Sequence, residues 1–366
     1  MLFDDVVWVE RAAEEHDAFT NTLRAHSVEV LYLQELLART LRLPGVRERA
    51  VGETLTQIAV GPRLGSELEQ WLKSLPATEL AECLIGGVTM DELPFRSQSL
   101  VARTSLPDAF VVPPLPNHMF TRDASAWAFD GVSVHTMAKP ARRREALHVE
   151  LIYRHHPMFA DADVPIWSDW ASPSASLEGG DILVLGNRSL LVGLGERSSP
   201  AAVEAYAHHL FAAGAADRVL VIALPAMRST MHLDAVLTMV DFDAFTVYSP
   251  LRARLEAYVL TPAPDGVRTT HEPDPFAAIA EALGLSRVRV IHGDADRAIA
   301  QREQWDDGNN LLALSPGVVV GYERNAATNT RLQQHGINVI TIPGSELARG
   351  RGGPRCMTCP IDRAGV

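Results

Sequence analysis

An α/β fold is predicted, made of a repeated strand–strand–helix–strand block with a separate helical block. Two observations predict it. The first third of the chain carries apolar residues at helical spacing with no strand signal, and after Phe110 period-two apolar runs and helical stretches alternate four times.

The helical block runs from about Trp8 to Glu82. Leu31-Tyr32-Leu33-Gln34-Glu35-Leu36-Leu37 and Glu67-Leu68-Glu69-Gln70-Trp71-Leu72 show its spacing, and Pro44-Gly45 and Gly61-Pro62 divide it into separate helices.

The first repeated block begins at Asp123, with a hairpin at Asp130-Gly131, a helix from Arg142 and a strand near Val164–Trp167. The second begins at Asp181: strands Ile182–Leu185 and Leu190–Leu194 about a Gly186-Asn187 turn, a helix from Pro200, and strand Arg218–Ala223. The third begins at Asp234: Val236–Val240 and Phe245–Tyr248, a helix near Phe276–Leu283, and Val288–Ile291. The fourth begins at Asn310: Leu311–Leu314 and Val318–Gly321 about Ser315-Pro316-Gly317, a helix from Asn325, and Val339–Ile342. Every block opens on Asp or Asn. Blocks arranged about a pseudo-axis would bring these four residues to one place and line a pocket with acids; the alternative is that Asp and Asn are good turn formers before strands.

Composition narrows the function. With 366 residues, 47% of them hydrophobic, the chain can bury a large core. No apolar run is long enough to span a bilayer, and Met1-Leu2-Phe3-Asp4-Asp5 lacks the basic region of a signal peptide. The three cysteines, Cys83, Cys356 and Cys359, are too few for a disulfide framework and fit a reducing, cytoplasmic compartment. A net charge of -12 disfavours a nucleic-acid partner and is compatible with a cationic substrate.

Four segments carry chemistry. Arg349-Gly350-Arg351-Gly352-Gly353-Pro354-Arg355-Cys356-Met357-Thr358-Cys359-Pro360 is a loop whose backbone can approach a ligand closely, and Arg355 beside Cys356 suggests a setting that favours thiolate. Cys-x-x-Cys also suits redox or half of a zinc site, but no second pair completes one. His232-Leu233-Asp234 puts two polar side chains on one face of an extended segment, as a metal site or an acid–base group beside a cation holder; a turn histidine is the plain alternative. Glu178-Gly179-Gly180-Asp181 holds two acids about two residues without side-chain bulk, though Gly-Gly-Asp is also a common turn. Pro116–Asp123 is polar, aromatic and acidic before a strand.

Together these segments resemble the arginine deiminase family of guanidine-modifying enzymes. The family's LPNxxFTRD, EGGD, HLD and RGRGG-x-x-CMTCP patterns occur in family order at Leu115–Asp123, Glu178–Asp181, His232–Asp234 and Arg349–Pro360, and Gln304–Asn310 is similar too. The resemblance implies a five-bladed α/β propeller of ββαβ blades spanning 1–366, with a helical bundle inserted at 30–104. It implies hydrolysis of free L-arginine to citrulline and ammonia, with no cofactor, no metal, no nucleic acid and no membrane. A homo-oligomer stays open. By the same resemblance Cys356 is the nucleophile, Asp123 and Asp234 grip the guanidinium, His232 moves protons and Glu178 completes the acid–base pocket. Asn117, Arg142, Arg197 and Arg351 hold the amino-acid end, and Phe120 packs on the aliphatic stem. Family members usually begin with a further stretch holding strands of the remaining blade; here Leu2-Phe3-Asp4-Asp5-Val6 resembles sequence found after it, so an incomplete first blade is expected. Pro354-Arg355 departs from the family's usual glycine and histidine before the cysteine. Another guanidine substrate (agmatine or dimethylarginine), a non-catalytic arginine-binding paralogue and a Cys/His/Asp metalloprotein are the competing readings.

Overall fold

The computed structural model describes residues 3–168, 175–293 and 297–363. Met1 and Leu2, where the N-terminal expectation starts, lie outside the described residues. The chain forms two compact units, one of residues 31–119 and 139–164, the other of 1–30, 120–138 and 165–366. The segment expected as an insertion, 30–104, falls, apart from Val30, within the first of these, which also takes in 105–119 and 139–164.

That unit is helical. Helices Leu33–Thr40, Val46–Thr56, Pro62–Ser74 and Ala77–Gly86 follow one another, with Gly45 in the left-handed region before the second and Pro62 in the first turn of the third. Leu64, Leu68 and Leu72 recur every four residues and are fully buried, as are Leu80 and Leu84. Two short strands, β1 (Val88–Thr89) and β2 (Phe110–Val112), pair antiparallel, and helix Arg143–His155 packs on the first two helices. Its residue His148 is buried against His118, Nδ1 to Nε2 at 3.0 Å.

The other unit is a mixed α/β structure of several small mixed sheets. Each repeated block supplies two antiparallel strands, and a third returns parallel to the second. The first is β3 (Ser125–Ala128), β4 (Gly131–Val134) and β5 (Ile166–Ser168). The second is β6 (Ile182–Gly186), β7 (Ser189–Leu194) and β8 (Arg218–Ala223), with helix Pro200–Ala212 before the return. The third has β9 (Leu237–Asp241) and β10 (Ala244–Val247). A further hairpin, β11 (Glu256–Ala263) and β12 (Gly266–Glu272), then adds to the second block's sheet, giving the order β12-β11-β8-β7-β6, before β13 (Arg289–Ile291) pairs with β10. The fourth is β14 (Leu312–Ser315), β15 (Val318–Tyr322) and β16 (Asn338–Ile342). The extra hairpin was not among the expected elements. Its signal was Asp265-Gly266 between two β-prone runs, but most of β12 is exposed or half-buried, so no apolar alternation marks it.

Local chemistry explains the turns. Asn187 and Arg188 both take positive φ, 46° and 54°, as the two-residue turn between β6 and β7 requires. Asp274 caps helix Pro275–Leu283 by accepting from the amides of Phe276 and Ala277, and Gly284 ends it left-handed. Strands β7 and β8, in the five-stranded sheet, are buried on both faces. Leu190, Val192, Val219 and Val221 pack with Tyr206 and Leu210 of helix Pro200–Ala212, whereas Leu191, Leu220 and Ile222 pack with Phe245 and Ile279 on the other side. This two-residue alternation fixes the register.

Candidate active site

The residues that open the four blocks converge in the sheet-bearing unit. Three sit in single helical turns before a first strand: Asp123 in Thr121–Ala124, Asp181 in Gly179–Asp181 and Asp234 in Leu233–Ala235. Asn310 ends the fourth approach, its amide donating to the Asp307 carbonyl at 2.9 Å. All four are buried. Asp181 Oδ1 accepts from the Leu233 amide at 2.8 Å and Oδ2 from Ser198 Oγ at 2.6 Å, so one block's acid fixes the turn that presents His232 and Asp234. Asp123 Oδ1 stands 3.7 Å from His232 Nδ1. The Asp234 carboxylate lies 3.7 and 4.0 Å from Cys356 Sγ. Asn310 holds Cys356 twice, its Nδ2 donating to Sγ and its Oδ1 accepting from the Cys356 amide, both at 3.1 Å. Turn propensity alone does not account for partners this specific.

Glu178 completes the cluster. Its Oε2 is 2.8 Å from His232 Nε2 and 3.2 Å from Arg197 Nη1, and its Oε1 accepts from the Ala138 amide at 3.0 Å. The two following glycines make this approach possible. A Cβ on Gly180 would stand 2.7 Å from His232 Cγ and 2.9 Å from Asp123 Oδ1, and one on Gly179 would collide with the Arg122 carbonyl.

The C-terminal loop is held from several elements. Arg122 is buried, donating its amide to the Cys356 carbonyl at 3.1 Å and its guanidinium to the Arg355 carbonyl and Thr358 Oγ1 at 3.4 Å. Burial, and then Arg355, bring that guanidinium down to about 9. Tyr322 Oη donates to the Gly352 carbonyl at 2.9 Å. Buried Phe120 lies against Gly350 and Gly352, where added Cβ atoms would strike its ring, and a Cβ on Gly353 would stand 2.6 Å from the Asn310 carbonyl oxygen.

The site's charges oppose one another. Burial alone would lower His232, but Asp123, Glu178 and Asp181 outweigh it and raise the imidazole to about 9. Burial also lifts Asp234, against the pull of Arg355 and His232, and lifts Asp181 to about 7. Cys356 goes the same way: burial, followed by Asp234, Asp123 and Asp307, pushes the thiol well above its ordinary range. This corrects the expectation from Arg355. Its Nε faces Asp234 Oδ2 at 3.3 Å and its Nη2 donates to the Ile182 carbonyl, so its charge is directed at the carboxylate and not at the neighbouring sulfur.

The expected substrate-end residues divide between the units. Arg197 is buried, paired with Glu178, and its Nη2 lies 3.6 Å from Met231 Sδ. Arg351 takes a positive φ of 62°, lies 4.0 Å over the Trp305 ring, donates to the Trp305 carbonyl, and has Nε 3.5 Å from Asp4. Asn117 and Arg142 belong to the helical unit. There the buried Arg142 donates to the Asn117 carbonyl at 3.2 Å and bidentately to Glu145 at 3.0 and 2.8 Å.

Among the described residues, Asp123, Glu178 and His232 each offer a ligand atom within 4.8 Å of the others, a spacing that could hold a metal ion. Glu178 already spends both oxygens on Ala138, His232 and Arg197, so a metal would have to displace existing bonds. Two acids and a histidine beside a thiol also suit a planar organic cation, which carboxylates can hold in plane.

The family model described as "Arginine deiminase" matches residues 1–363. The chain belongs to the arginine deiminase family. Among solved structures it is similar to apo ArgZ, an arginine dihydrolase of cyanobacteria (16% identity, TM-score 0.49, 69% of this chain and 33% of that one) and to unliganded AgrE (18%, 0.47, 67% and 30%). It is also similar to a dimethylarginine dimethylaminohydrolase adduct (14%, 0.46, 66% and 76%). The matched part is about a third of the full ArgZ and AgrE chains. Among the described residues of this deiminase-family chain, no helix is long and apolar enough to cross a membrane.

Proposed function

We propose that the protein is an arginine deiminase, hydrolysing free L-arginine to L-citrulline and ammonia through a cysteine-bound thiouronium. One observation carries the reading: Cys356, Asp234, Asp123, His232 and Glu178, drawn from four segments, form one buried cluster in which the thiol lies beside a carboxylate and the imidazole beside two.

A guanidinium is planar and weakly electrophilic. Asp123 and Asp234 hold it in plane by paired hydrogen bonds, so that Cys356 Sγ meets the central carbon face-on. The thiol gives up its proton to solvent before attack. The S–C bond forms, the C–N π pair withdraws to nitrogen, and His232, protonated through its elevated affinity, delivers a proton so that ammonia leaves. His232, now neutral, takes a proton from water as the water adds to the thiouronium carbon. The C–S bond then breaks, returning thiolate, while the added hydroxyl loses its remaining proton to solvent, where the released ammonia takes it up as ammonium, and citrulline is released. Glu178 orients the imidazole and stabilises its charge.

Arg197 and Arg351 serve the amino-acid end of the substrate, and Phe120 packs on the stem. The four ββαβ blocks, meeting through the residues that open them, are read as blades of the family's propeller. The cysteine usage fits the cytoplasm. No metal is required by these steps.

Release of the ureido product from arginine, compared with that from agmatine and dimethylarginine, tests the proposal. Turnover of arginine alone is expected. A Cys356→Ser variant that keeps full activity overturns the mechanism, and a preference for agmatine overturns the substrate.

A further inference from the structure

Three of the four block-opening positions are aspartates, one of which, Asp234, lies 3.7 Å from Cys356 Sγ; the fourth is Asn310, which brings an N–H donor to 3.1 Å from the same sulfur. The orientation of its amide is determined by its partners. The Cys356 backbone N–H can only donate, so it selects Oδ1, and this leaves Nδ2 directed at Sγ. Asn310 is fully buried, its own amide is held by the Asp307 carbonyl, and Gly353 has no side chain where one would stand 2.7 Å from Asn310 Oδ1. The amide therefore has little freedom to turn away.

The surroundings give this donor a task. Asp234, Asp123 and Asp307 all disfavour a negative charge on Cys356, Tyr322 lies near enough to feel that charge, and Arg355 is directed at Asp234. Besides Asn310, the Gly353 backbone also favours the thiolate.

We propose that Asn310 is a catalytic residue, whose side-chain N–H stabilises the Cys356 thiolate before attack and again when the C–S bond breaks. An aspartate, the residue of the other three blocks, would place an anion against an anion. The amide is thus the member of the repeat adapted to a nucleophile. The inference rests on Cys356 being the nucleophile.

The test is iodoacetamide alkylation of Cys356 against pH, read by mass spectrometry of the peptide carrying it, alongside kcat and KM for arginine. Asn310→Asp keeps the shape and the acceptor for the Cys356 amide. It is expected to raise the alkylation midpoint by about one pH unit or more. It should also lower kcat by roughly 10²-fold, with KM changing less than about threefold. Asn310→Ser, which restores a neutral donor, should recover part of both. Unchanged midpoints in both variants overturn the inference, as does an Asn310→Ser no better than Asn310→Asp. Cys356→Ser separates the two levels. If it remains active, the nucleophile assignment fails; if it is inactive while both Asn310 variants alkylate like wild type, only the role of Asn310 fails.

Discussion

His232 Nε2 stands 2.8 Å from Glu178 Oε2, in a cluster where Asp123 and Asp181 add two further carboxylates. This relationship sets the proton chemistry of the site. Because the folded-state value of His232, about 9, lies above the ordinary ~6.5 of an exposed histidine, its contribution to stability is fully present below about 6.5 and is lost as pH rises through about 9.

The first prediction follows from that sign. The alkaline limb of the kcat profile should fall near pH 9, and Glu178→Gln should move it toward neutrality, because one of the carboxylates holding the imidazolium is gone. Steady-state citrulline release across the pH range measures it. A limb that stays in place in the variant would show that Glu178 does not support the charge.

Asp234→Asn should move two observables in opposite directions. Removing the carboxylate 3.7 Å from Sγ lowers the thiol's pKa, so alkylation of Cys356 at neutral pH should quicken. Arginine turnover should nevertheless drop by roughly 10²–10³-fold, because one arm of the proposed guanidinium grip is lost. Slower alkylation would contradict the electrostatic account.

Gly180→Ala puts a methyl group 2.7 Å from His232 Cγ. The expected outcome is a folded protein destabilised by about 1–3 kcal/mol, with the imidazole displaced and activity severely reduced. Circular dichroism and chemical denaturation report the first effect and turnover the second. Wild-type activity would mean that His232 tolerates displacement.

Glu15 is buried and accepts from Ser345 N and Oγ and from the amides of Glu346 and Leu347, ahead of the turn Leu347–Gly350 that leads into the cysteine loop. Burial alone would raise this carboxyl, but these bonds outweigh it and hold it below its usual value, so its contribution to stability is present above about 4.5 and is lost as pH falls. Glu15→Ala should cost about 3 kcal/mol, since it orphans the buried amides of Glu346 and Leu347. Urea denaturation at neutral and acid pH checks this, with the difference from wild type shrinking in acid.

Much of this architecture was legible in the chain. Period-two runs about Asp130-Gly131, Gly186-Asn187 and Ser315-Pro316-Gly317 marked hairpins that formed, and Pro44-Gly45 and Gly61-Pro62 divided helices where expected, because turn and helix-end chemistry is local. The recurrence of Asp, Asp, Asp and Asn before first strands could also be read directly. The exposed hairpin β11–β12 could not, since a strand with little buried surface has no apolar period to show.

The sequence alone determined which chemical groups the protein has and the order in which they come, down to the glycines that make room for His232 and Phe120. Only the tertiary structure decided what each group feels. Arg355, adjacent to Cys356 in the chain, directs its charge at Asp234, whereas Asn310, 46 residues away, donates to the sulfur. Electrostatic and hydrogen-bond energies depend on distance, direction and burial in space, and sequence separation fixes none of these for side chains brought together from different turns.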